Sequence, residues 1–157
     1  MKRLLRLTTL LAVVLTAVSC EKNPSDVVPT LEVTANNISG IWQLSEWSGH
    51  TLEEGTYVYL EITRRNQLFT IYDNLDSFSA VKSTGRYNII TDDEHGAVIR
   101  GQYDYGKGDW RHRYIIRDLT KSSMTWVALD DADDISVYVR CDAIPEEILA
   151  ELPADED

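Results

Sequence analysis

The sequence predicts an all-β protein that folds as an antiparallel up-and-down barrel of about eight or nine strands, followed by a short C-terminal helix. From residue 40 onward the chain consists of short runs with a two-residue hydrophobic period, which is the pattern of half-buried strands. The connections between these runs are too short for parallel crossovers, which need a dozen residues or more. No 3.6-residue period is sustained before residue 144, so the pattern does not predict long amphipathic helices.

The N-terminus has the features of a secretory signal peptide. Basic residues within 1–6 precede an apolar segment over 7–18, which is too short to span a bilayer as a mature helix. The segment ends in Ala17-Val18-Ser19-Cys20, which resembles the bacterial lipobox, where the cysteine is acylated and becomes the mature N-terminus. The sequence therefore predicts a lipoprotein signal peptide over 1–19 and a lipidated Cys20. An ordinary signal peptide followed by an incidental cysteine is the alternative.

A lipidated cysteine would anchor the protein to a membrane, because each buried methylene of an acyl chain contributes roughly 0.8 kcal/mol. The resemblance to bacterial lipoproteins implies the outer membrane of a Gram-negative cell envelope, on either its periplasmic or its outer face. After Cys20, the segment that ends at residue 37 contains proline and asparagine and has no sustained period. We expect residues 20–37 to form a flexible tether between the membrane and the folded domain.

The predicted barrel domain comprises residues 38–143. Its nine candidate strands are 41–47, 56–64, 67–73, 77–82, 85–91, 96–104, 110–118, 123–129 and 135–141. Turn-forming residues separate these runs, so strands that are neighbours in sequence are expected to pair as antiparallel hairpins. Closing such a meander into a barrel removes the two exposed edges of an open sheet.

Three of the candidate strands show the alternation most clearly. In 56–64, the aliphatic side chains of Val58, Leu60 and Ile62 fall on one face and two tyrosines on the other. In 110–118, one face carries Trp110, His112, Tyr114 and Ile116, and the opposite face carries arginines. In 135–141, the residues Ser136, Tyr138 and Arg140 oppose a face of β-branched residues.

Residues 144–157 are predicted to form a short helix and an acidic tail. Proline near the helix start and glutamates in its first turn suit the helix dipole, and Pro153 ends the helix. We expect its apolar residues to pack against the outside of the barrel or to cover one end. These residues are Ile148, Leu149 and Leu152. The tail over 155–157 is expected to be disordered.

The triplet Gly40-Ile41-Trp42 opens the first strand with a glycine, any residue and a tryptophan. This placement resembles the lipocalin signature, and in particular the small bacterial lipocalin-like lipoproteins. The hairpin from Tyr114 to Trp126 also looks like the late hairpin of that family. The resemblance covers residues 38–141. It implies that Gly40 and Trp42 lie at the closed base of the barrel and that Arg140, in the last strand, covers the tryptophan.

Charge and cysteine content exclude several classes of function. The chain carries a net charge of −11, and the predicted signal peptide contains three basic residues and no acid, so the mature chain would carry −14. Such a charge disfavours nucleic acid and a polybasic contact with anionic lipid. Two cysteines are too few for a disulfide-stapled miniprotein. If Cys20 is acylated, Cys141 is left as a free thiol. We expect it to be a small buried residue near a strand end, and an intermolecular disulfide is the alternative.

No motif for catalysis, a cofactor or a metal is evident, so we expect a protein that is not an enzyme and holds none of these groups. His50 and His95 lie in predicted turns, and His112 is either a pocket residue or a histidine near the barrel mouth. The acidic run 130–134 lacks the glycine and the distal glutamate of a calcium loop. The basic row Arg111, Arg113 and Arg117 is expected to pair with acids on neighbouring strands. Binding of an anionic partner is the alternative.

The aromatic content suggests where a ligand would bind. Pockets are commonly lined by aromatic side chains with a few polar groups. The candidate wall residues are Trp110, His112, Tyr114, Met124 and Trp126. A filled barrel core uses the same residue types, so a packed interior is the alternative.

Two functions follow. The first is a membrane-anchored lipocalin-like carrier of a small apolar or amphipathic ligand. The second is an interaction or inhibitor module with a filled barrel, whose negative charge attracts a cationic envelope protein such as a lysozyme-type enzyme.

Overall fold

The computed structural model describes residues 28–153. The predicted signal peptide, Cys20 and the acidic tail lie outside this range. The described elements are helix α1 (Ala35–Ile38), strands β1 (Gly40–Trp47), β2 (His50–Thr51), β3 (Val58–Thr63), β4 (Leu68–Asp73), β5 (Val81–Asp92), β6 (Gly96–Tyr103), β7 (Tyr114–Arg117), β8 (Ser123–Ala128) and β9 (Asp131–Cys141), and helix α2 (Glu146–Glu151). No helix in this part of the chain is both long and apolar enough to cross a membrane.

The predicted antiparallel barrel is confirmed. Eight strands form a closed ring in the order β1-β3-β4-β5-β6-β7-β8-β9, and β9 pairs back onto β1. Every neighbouring pair is antiparallel, and Ile41 of β1 lies opposite Cys141 of β9. The two-residue strand β2 pairs only with the end of β1 and is additional to the ring.

The strands differ from the sequence prediction in three places, apart from the short β2, which was not predicted. Strand β9 begins at Asp131 and not at residue 135, so most of the acidic run belongs to the strand. The predicted strand 77–82 is wrong over 77–80, which lie outside any strand. Its last two residues continue into the predicted strand 85–91 as one long strand, β5, because the polar residues between them pair with β4. The predicted strand 110–118 is regular only over 114–117. Its first part leaves the ladder at a bulge, and this bulge shapes the candidate site.

Large apolar side chains fill the barrel interior. The predicted inward face of β3 is confirmed, because Val58, Leu60 and Ile62 are all buried in the main core. In β9 the inward face carries the aromatic Tyr138, and not the β-branched residues. The other core residues include Trp42, Leu44, Phe69, Tyr87, Ile99, Ile116, Leu119, Met124 and Trp126. These residues form one continuous core inside the barrel.

One end of the barrel is closed by Trp42, which is fully buried and donates from its Nε1 to the carbonyl oxygen of Ile38 at 2.8 Å. The guanidinium carbon of Arg140 lies 4.0 Å from the centroid of the Trp42 ring, within the range of a cation–π contact. Arg140 also donates hydrogen bonds to the backbone carbonyls of Asn37, Ser39 and Lys121. The structure thus places Arg140 between α1, the start of β1 and the β7–β8 turn.

The described part of the predicted tether packs against the barrel. Leu31, Val33 and Ala35 contact the main core, and the backbone N–H of Leu31 donates to the carbonyl oxygen of Leu119 at 2.7 Å. The side chain of Thr34 caps α1 by accepting from the N–H of Asn37. The expectation of a flexible tether up to residue 37 is therefore wrong from residue 31 onward. The apolar residues of this stretch recur at every second position, which gives no helical period. They nevertheless present enough apolar surface for the segment to pack against the barrel core.

The predicted C-terminal helix is confirmed as α2, which packs against the outside of the barrel. Ile148 is buried beside Tyr59, Tyr72 and Ala80, and Leu152 contacts the same cluster. Leu149, which was also expected to pack, is exposed. Cys141 is a free, half-buried thiol at the end of β9 that contacts this cluster, and burial raises its pKa.

Candidate functional site

The ladder between β6 and β7 is interrupted by a bulge. Val98 and Ile99 pair with the first residues of β7. Farther along, Gln102 bridges to Asp109, and the N–H of Trp110 donates to the carbonyl oxygen of Gly101 at 2.9 Å. The register on the two sides of the interruption differs by two residues, so the segment 111–113 lies opposite Arg100 alone. The extra residues push the chain out of the sheet at this point.

A cleft with a volume of about 450 Å³ lies at this bulge, which is within the size range of small-molecule sites, roughly 300–1,000 Å³. We call it the seam cleft, because it lies along the β6–β7 seam. One wall is formed by the middle of β5 and β6, another by residues 109–113, and the third by the β8–β9 turn. Its lining residues are Arg86, Tyr87, Asn88, Arg100, Gly101, Gln102, Asp109, Trp110, Arg111, His112, Arg113, Leu129 and Asp130.

The aromatic part of the seam cleft is built from inward-facing positions of the barrel. Trp110 packs against Gly101, where an added Cβ would overlap the indole ring. The same indole lies 4.8 Å from the ring of Phe69, centroid to centroid. Its Nε1–H is buried and has no hydrogen-bond partner within residues 28–153. A buried donor left without an acceptor costs about 1–3 kcal/mol, so the packing of Trp110 leaves one polar group unsatisfied among the described residues.

Three of the five predicted wall residues lie behind the cleft. Tyr114, Met124 and Trp126 do not line it, and the rings of Trp110 and Trp126 are in contact at 5.6 Å between centroids. Met124 is fully buried and accepts a hydrogen bond on its sulfur from the indole of Trp126 at 3.3 Å. These three side chains are therefore part of the packed interior that supports Trp110.

Burial affects the tyrosines of this interior. Burial, with a smaller contribution from Asp134, raises the pKa of Tyr114 to about 12. Tyr138, whose ring lies 5.2 Å from that of Trp126, has a pKa that is raised chiefly by burial. Both phenols therefore stay protonated at neutral pH and provide polar but uncharged groups next to the aromatic cluster.

His112 is held against the β8–β9 turn by two carboxylates. Its Nδ1 lies 2.7 Å from Oδ1 of Asp130, and its Nε2 lies 3.8 Å from Oδ2 of Asp134. The hydrogen bond from His112 is the largest of the effects that lower the pKa of Asp130. The N–H of Leu129 also donates to the carbonyl oxygen of Arg113 at 2.8 Å. These contacts hold the bulge against the β8–β9 turn.

Four arginines surround the seam cleft, namely Arg86, Arg100, Arg111 and Arg113. Within residues 28–153, none of them has a side-chain hydrogen bond or an ion pair with a carboxylate. Arg117, outside the cleft, has no such partner in the same range either. The expectation that Arg111, Arg113 and Arg117 pair with acids on neighbouring strands is therefore wrong. Strand β6 presents Arg100 and Gln102 to this side of the barrel, and no acid, and the two carboxylates that line the cleft, Asp109 and Asp130, bond to Gln102 and His112 instead.

The other candidate residues lie away from the seam cleft. His50 is exposed in β2, and His95 lies in the β5–β6 turn, where its Nδ1 is 2.9 Å from Asp92. Within the described ranges, no group of three or more His, Cys, Asp or Glu side chains has an arrangement suited to a metal ion. Gly40, Trp42 and Arg140 form the closed end described above.

Sequence reasoning missed the contribution of β5 and β6 to the cleft. Arg86 and Asn88 alternate with the inward Tyr87, and Arg100 and Gln102 alternate with the inward Gly101. The alternation of basic and amide residues on both strands was a readable signal. The sequence alone does not show that these residues form one wall, because this depends on the register, which places Arg100 opposite Asn88 and Arg86 opposite Gln102.

Comparison with known proteins gives a similarity in structure. No protein-family model matches the sequence, and no curated protein matches it significantly. Among solved structures, a lipocalin-like protein from Bacteroides uniformis is 16% identical, with a TM-score of 0.49. The similarity covers 67% of this chain and 99% of that one.

Proposed function

We propose that this protein is a binding protein for a small amphipathic molecule, which it holds in the seam cleft. The observation that carries the proposal is the indole of Trp110, which lines the cleft and whose buried Nε1–H has no acceptor in the described part of the chain. A ligand that stacks on the indole and accepts this hydrogen bond would gain from both apolar burial and a satisfied donor. No catalytic role is proposed.

The place of binding differs from the one expected for a barrel carrier. The barrel interior is occupied by its own aromatic side chains, with Trp126 in contact with Trp110, Tyr114 and Tyr138. A ligand at the bulge would not need to displace this core. The polar lining residues, such as Asn88 and Gln102, would orient the polar part of the ligand.

The proposed location follows from the N-terminal sequence. The lipobox-like Ala17-Val18-Ser19-Cys20 supports acylation at Cys20 and attachment to the outer membrane of a Gram-negative envelope. Because the first strand begins at Gly40 and the packed chain at Leu31, the free part of the tether would comprise at most the ten residues before Leu31. Leu31 bonds to Leu119, just beyond the end of β7, whereas the seam cleft lies at the start of β7, so the cleft would lie at the end of the barrel away from the tether.

The test compares two tryptophans. Wild-type protein, Trp110→Phe and Trp47→Phe are titrated calorimetrically with octyl glucoside and octyl phosphate below their micelle concentrations. Trp47 is the matched control, because it is half-exposed on β1 and lies outside the seam cleft. We expect binding of at least one amphiphile by the wild type, retained in Trp47→Phe and weakened at least fivefold in Trp110→Phe. No binding of either amphiphile, or equal losses in both variants, would contradict the proposal.

A second function is favoured by the packed interior. A filled barrel with acidic loops suits an interaction module for a cationic envelope protein, such as a lysozyme-type enzyme. The β8–β9 turn and the start of β9 supply negative charge through the exposed Asp130, Asp131 and Asp133. Such binding would weaken steeply with salt, whereas the tail of an amphiphile in the seam cleft would bind with little salt dependence.

A further inference from the structure

Unpaired positive charge is concentrated at the seam cleft of a protein that is acidic as a whole. Four of the chain's 15 lysines and arginines line this one cleft, and the chain's net charge is −11. The register places Arg86 and Arg100 diagonally across the β5–β6 ladder, since Arg86 is opposite Gln102 and Arg100 is opposite Asn88. Diagonal neighbours are close enough for long side chains to meet, and like charges across a ladder are destabilising.

The bulge adds two more guanidinium groups to the same place. Because Arg111 and Arg113 lie in the segment that is opposite Arg100, they border the cleft from the far side of the seam. Straightening of the bulge is opposed by the hydrogen bond of Leu129 to the carbonyl of Arg113. The fold thus holds two basic pairs on opposite walls of the cleft.

The carboxylates of the cleft do not neutralise these arginines. Only two acids line it, and each accepts a hydrogen bond from another group. Oδ1 of Asp109 accepts from the side-chain amide of Gln102 at 3.2 Å, and Oδ1 of Asp130 is 2.7 Å from His112. Arg113 contributes to lowering the pKa of Asp130 without forming an ion pair with it. Four guanidinium groups therefore face two carboxylates, and the cleft carries an excess of positive charge.

We propose that the seam cleft selects an anionic amphiphile, and that a phosphate-type head group is held by Arg100 and Arg111 while the apolar part lies on Trp110. This inference rests on the proposed function and specifies its ligand class. Guanidinium groups bind phosphate oxygens through paired N–H donors, which gives direction as well as charge. Such an anion would also relieve the repulsion between the arginines on the two walls.

The experiment uses three probes that separate the head group from the tail. Octyl phosphate carries both, octyl glucoside carries the tail with a neutral head, and inorganic phosphate carries the anion alone. Each is titrated into the wild-type protein at low salt. We expect octyl phosphate to bind at least tenfold more tightly than either of the other two, and this advantage over octyl glucoside to shrink at 0.5 M salt.

Three variants with the same change in net charge locate the effect. Arg100→Gln and Arg111→Gln remove cleft arginines, and Arg117→Gln removes an arginine of β7 that lies outside the cleft. All three positions are exposed, so each variant is expected to keep the thermal midpoint of the wild type. We expect the two cleft variants to bind octyl phosphate at least fivefold more weakly, and the Arg117 variant to match the wild type.

Each contrary result has a distinct meaning. If the two octyl compounds bind equally well, or the three variants lose equal affinity, anion selection is overturned while the proposed function stands. If inorganic phosphate binds as tightly as octyl phosphate, the cleft holds a free anion and the amphiphile is overturned. If no probe binds, both the proposed function and this inference are overturned. The wild-type titrations decide these cases even if a variant fails to fold.

Discussion

Nη1 of Arg140 occupies the space that a side chain on Gly40 would need. Gly40 also has a φ of 134°, a conformation that is essentially restricted to glycine. We therefore expect Gly40→Ala to lower the free energy of unfolding by about 2–3 kcal/mol through backbone strain and displacement of the guanidinium group. Urea denaturation of the variant and the wild type measures this difference.

A double-mutant cycle tests whether the penalty at Gly40 involves Arg140. Arg140→Ala is expected to cost about 3 kcal/mol, since it removes three hydrogen bonds to backbone carbonyls and the contact with Trp42. In that background, Gly40→Ala should cost at least about 1 kcal/mol less than in the wild type, because neighbouring sites are non-additive. Full additivity would mean that the strain at Gly40 is confined to its backbone.

Met124 distinguishes a core residue from a ligand contact. Because it is fully buried within the barrel, Met124→Ala should leave a cavity and lower the free energy of unfolding by about 2–4 kcal/mol. The volume-conserving Met124→Leu should cost less than about 1.5 kcal/mol and leave octyl phosphate binding unchanged. A loss of affinity in the stable Met124→Leu variant would show that Met124 contacts the ligand.

The hydrogen bond between His112 and Asp130 is expected to set the acid behaviour of this carboxyl. It is the largest cause of the lowered pKa of Asp130, so His112→Asn should raise that pKa toward its ordinary value of 3.8. Carboxyl-carbon NMR shifts followed from pH 2 to 6 report the change. Asp92, whose pKa is lowered by His95, is the internal control and should titrate as in the wild type.

The sign of the associated stability change follows from the direction of the shift. A carboxyl with a lowered pKa in the folded state stabilises the protein above its unfolded pKa, and this contribution is lost as the pH falls through the lowered value. The variant should therefore show a shallower loss of stability below about pH 4 than the wild type. An unchanged acid profile would show that His112 is not the partner that matters to Asp130 in solution.

Tyr114 should make the protein sensitive to alkaline pH. Its folded-state pKa is raised from 10.0 to about 12, so its contribution is complete below pH 10 and is lost as the pH rises through about 12. Urea midpoints at pH 9 and pH 11 should therefore fall less in Tyr114→Phe than in the wild type. Part of the fall should remain, because Tyr138 has a pKa raised by the same cause. Identical falls in both proteins would contradict a buried, protonated Tyr114.

The barrel could be predicted from the sequence because local patterns determine it. Strand β3 alternates over its whole length, and short turns leave its neighbours no choice but antiparallel pairing. The packing of Leu31 and Val33 could not be predicted in this way. These residues bind to the barrel as an extended chain outside the sheet, and their partners, such as Leu119, are far along the sequence.

The candidate site was harder to predict, because it depends on an interruption of a regular pattern. Trp110 and His112 alternate with arginines as strand residues would, yet the bulge removes 111–113 from the ladder. A shift of two residues preserves the inside–outside alternation, so the side-chain pattern does not show it. The arginines were recognised as a basic row, but their lack of acidic partners follows only from the folded register.

The pairing of β9 with β1 makes the order of synthesis important for folding. Ile41 and Cys141 are opposite each other in the ring, so the last ladder forms between residues that are a hundred positions apart. Until the chain is complete through residue 141, β1 and β8 each retain a free edge that another chain can join. Such non-local closure slows folding to about milliseconds to seconds. The nascent protein is therefore the species most exposed to aggregation, and early truncations should aggregate more than variants that affect the seam cleft.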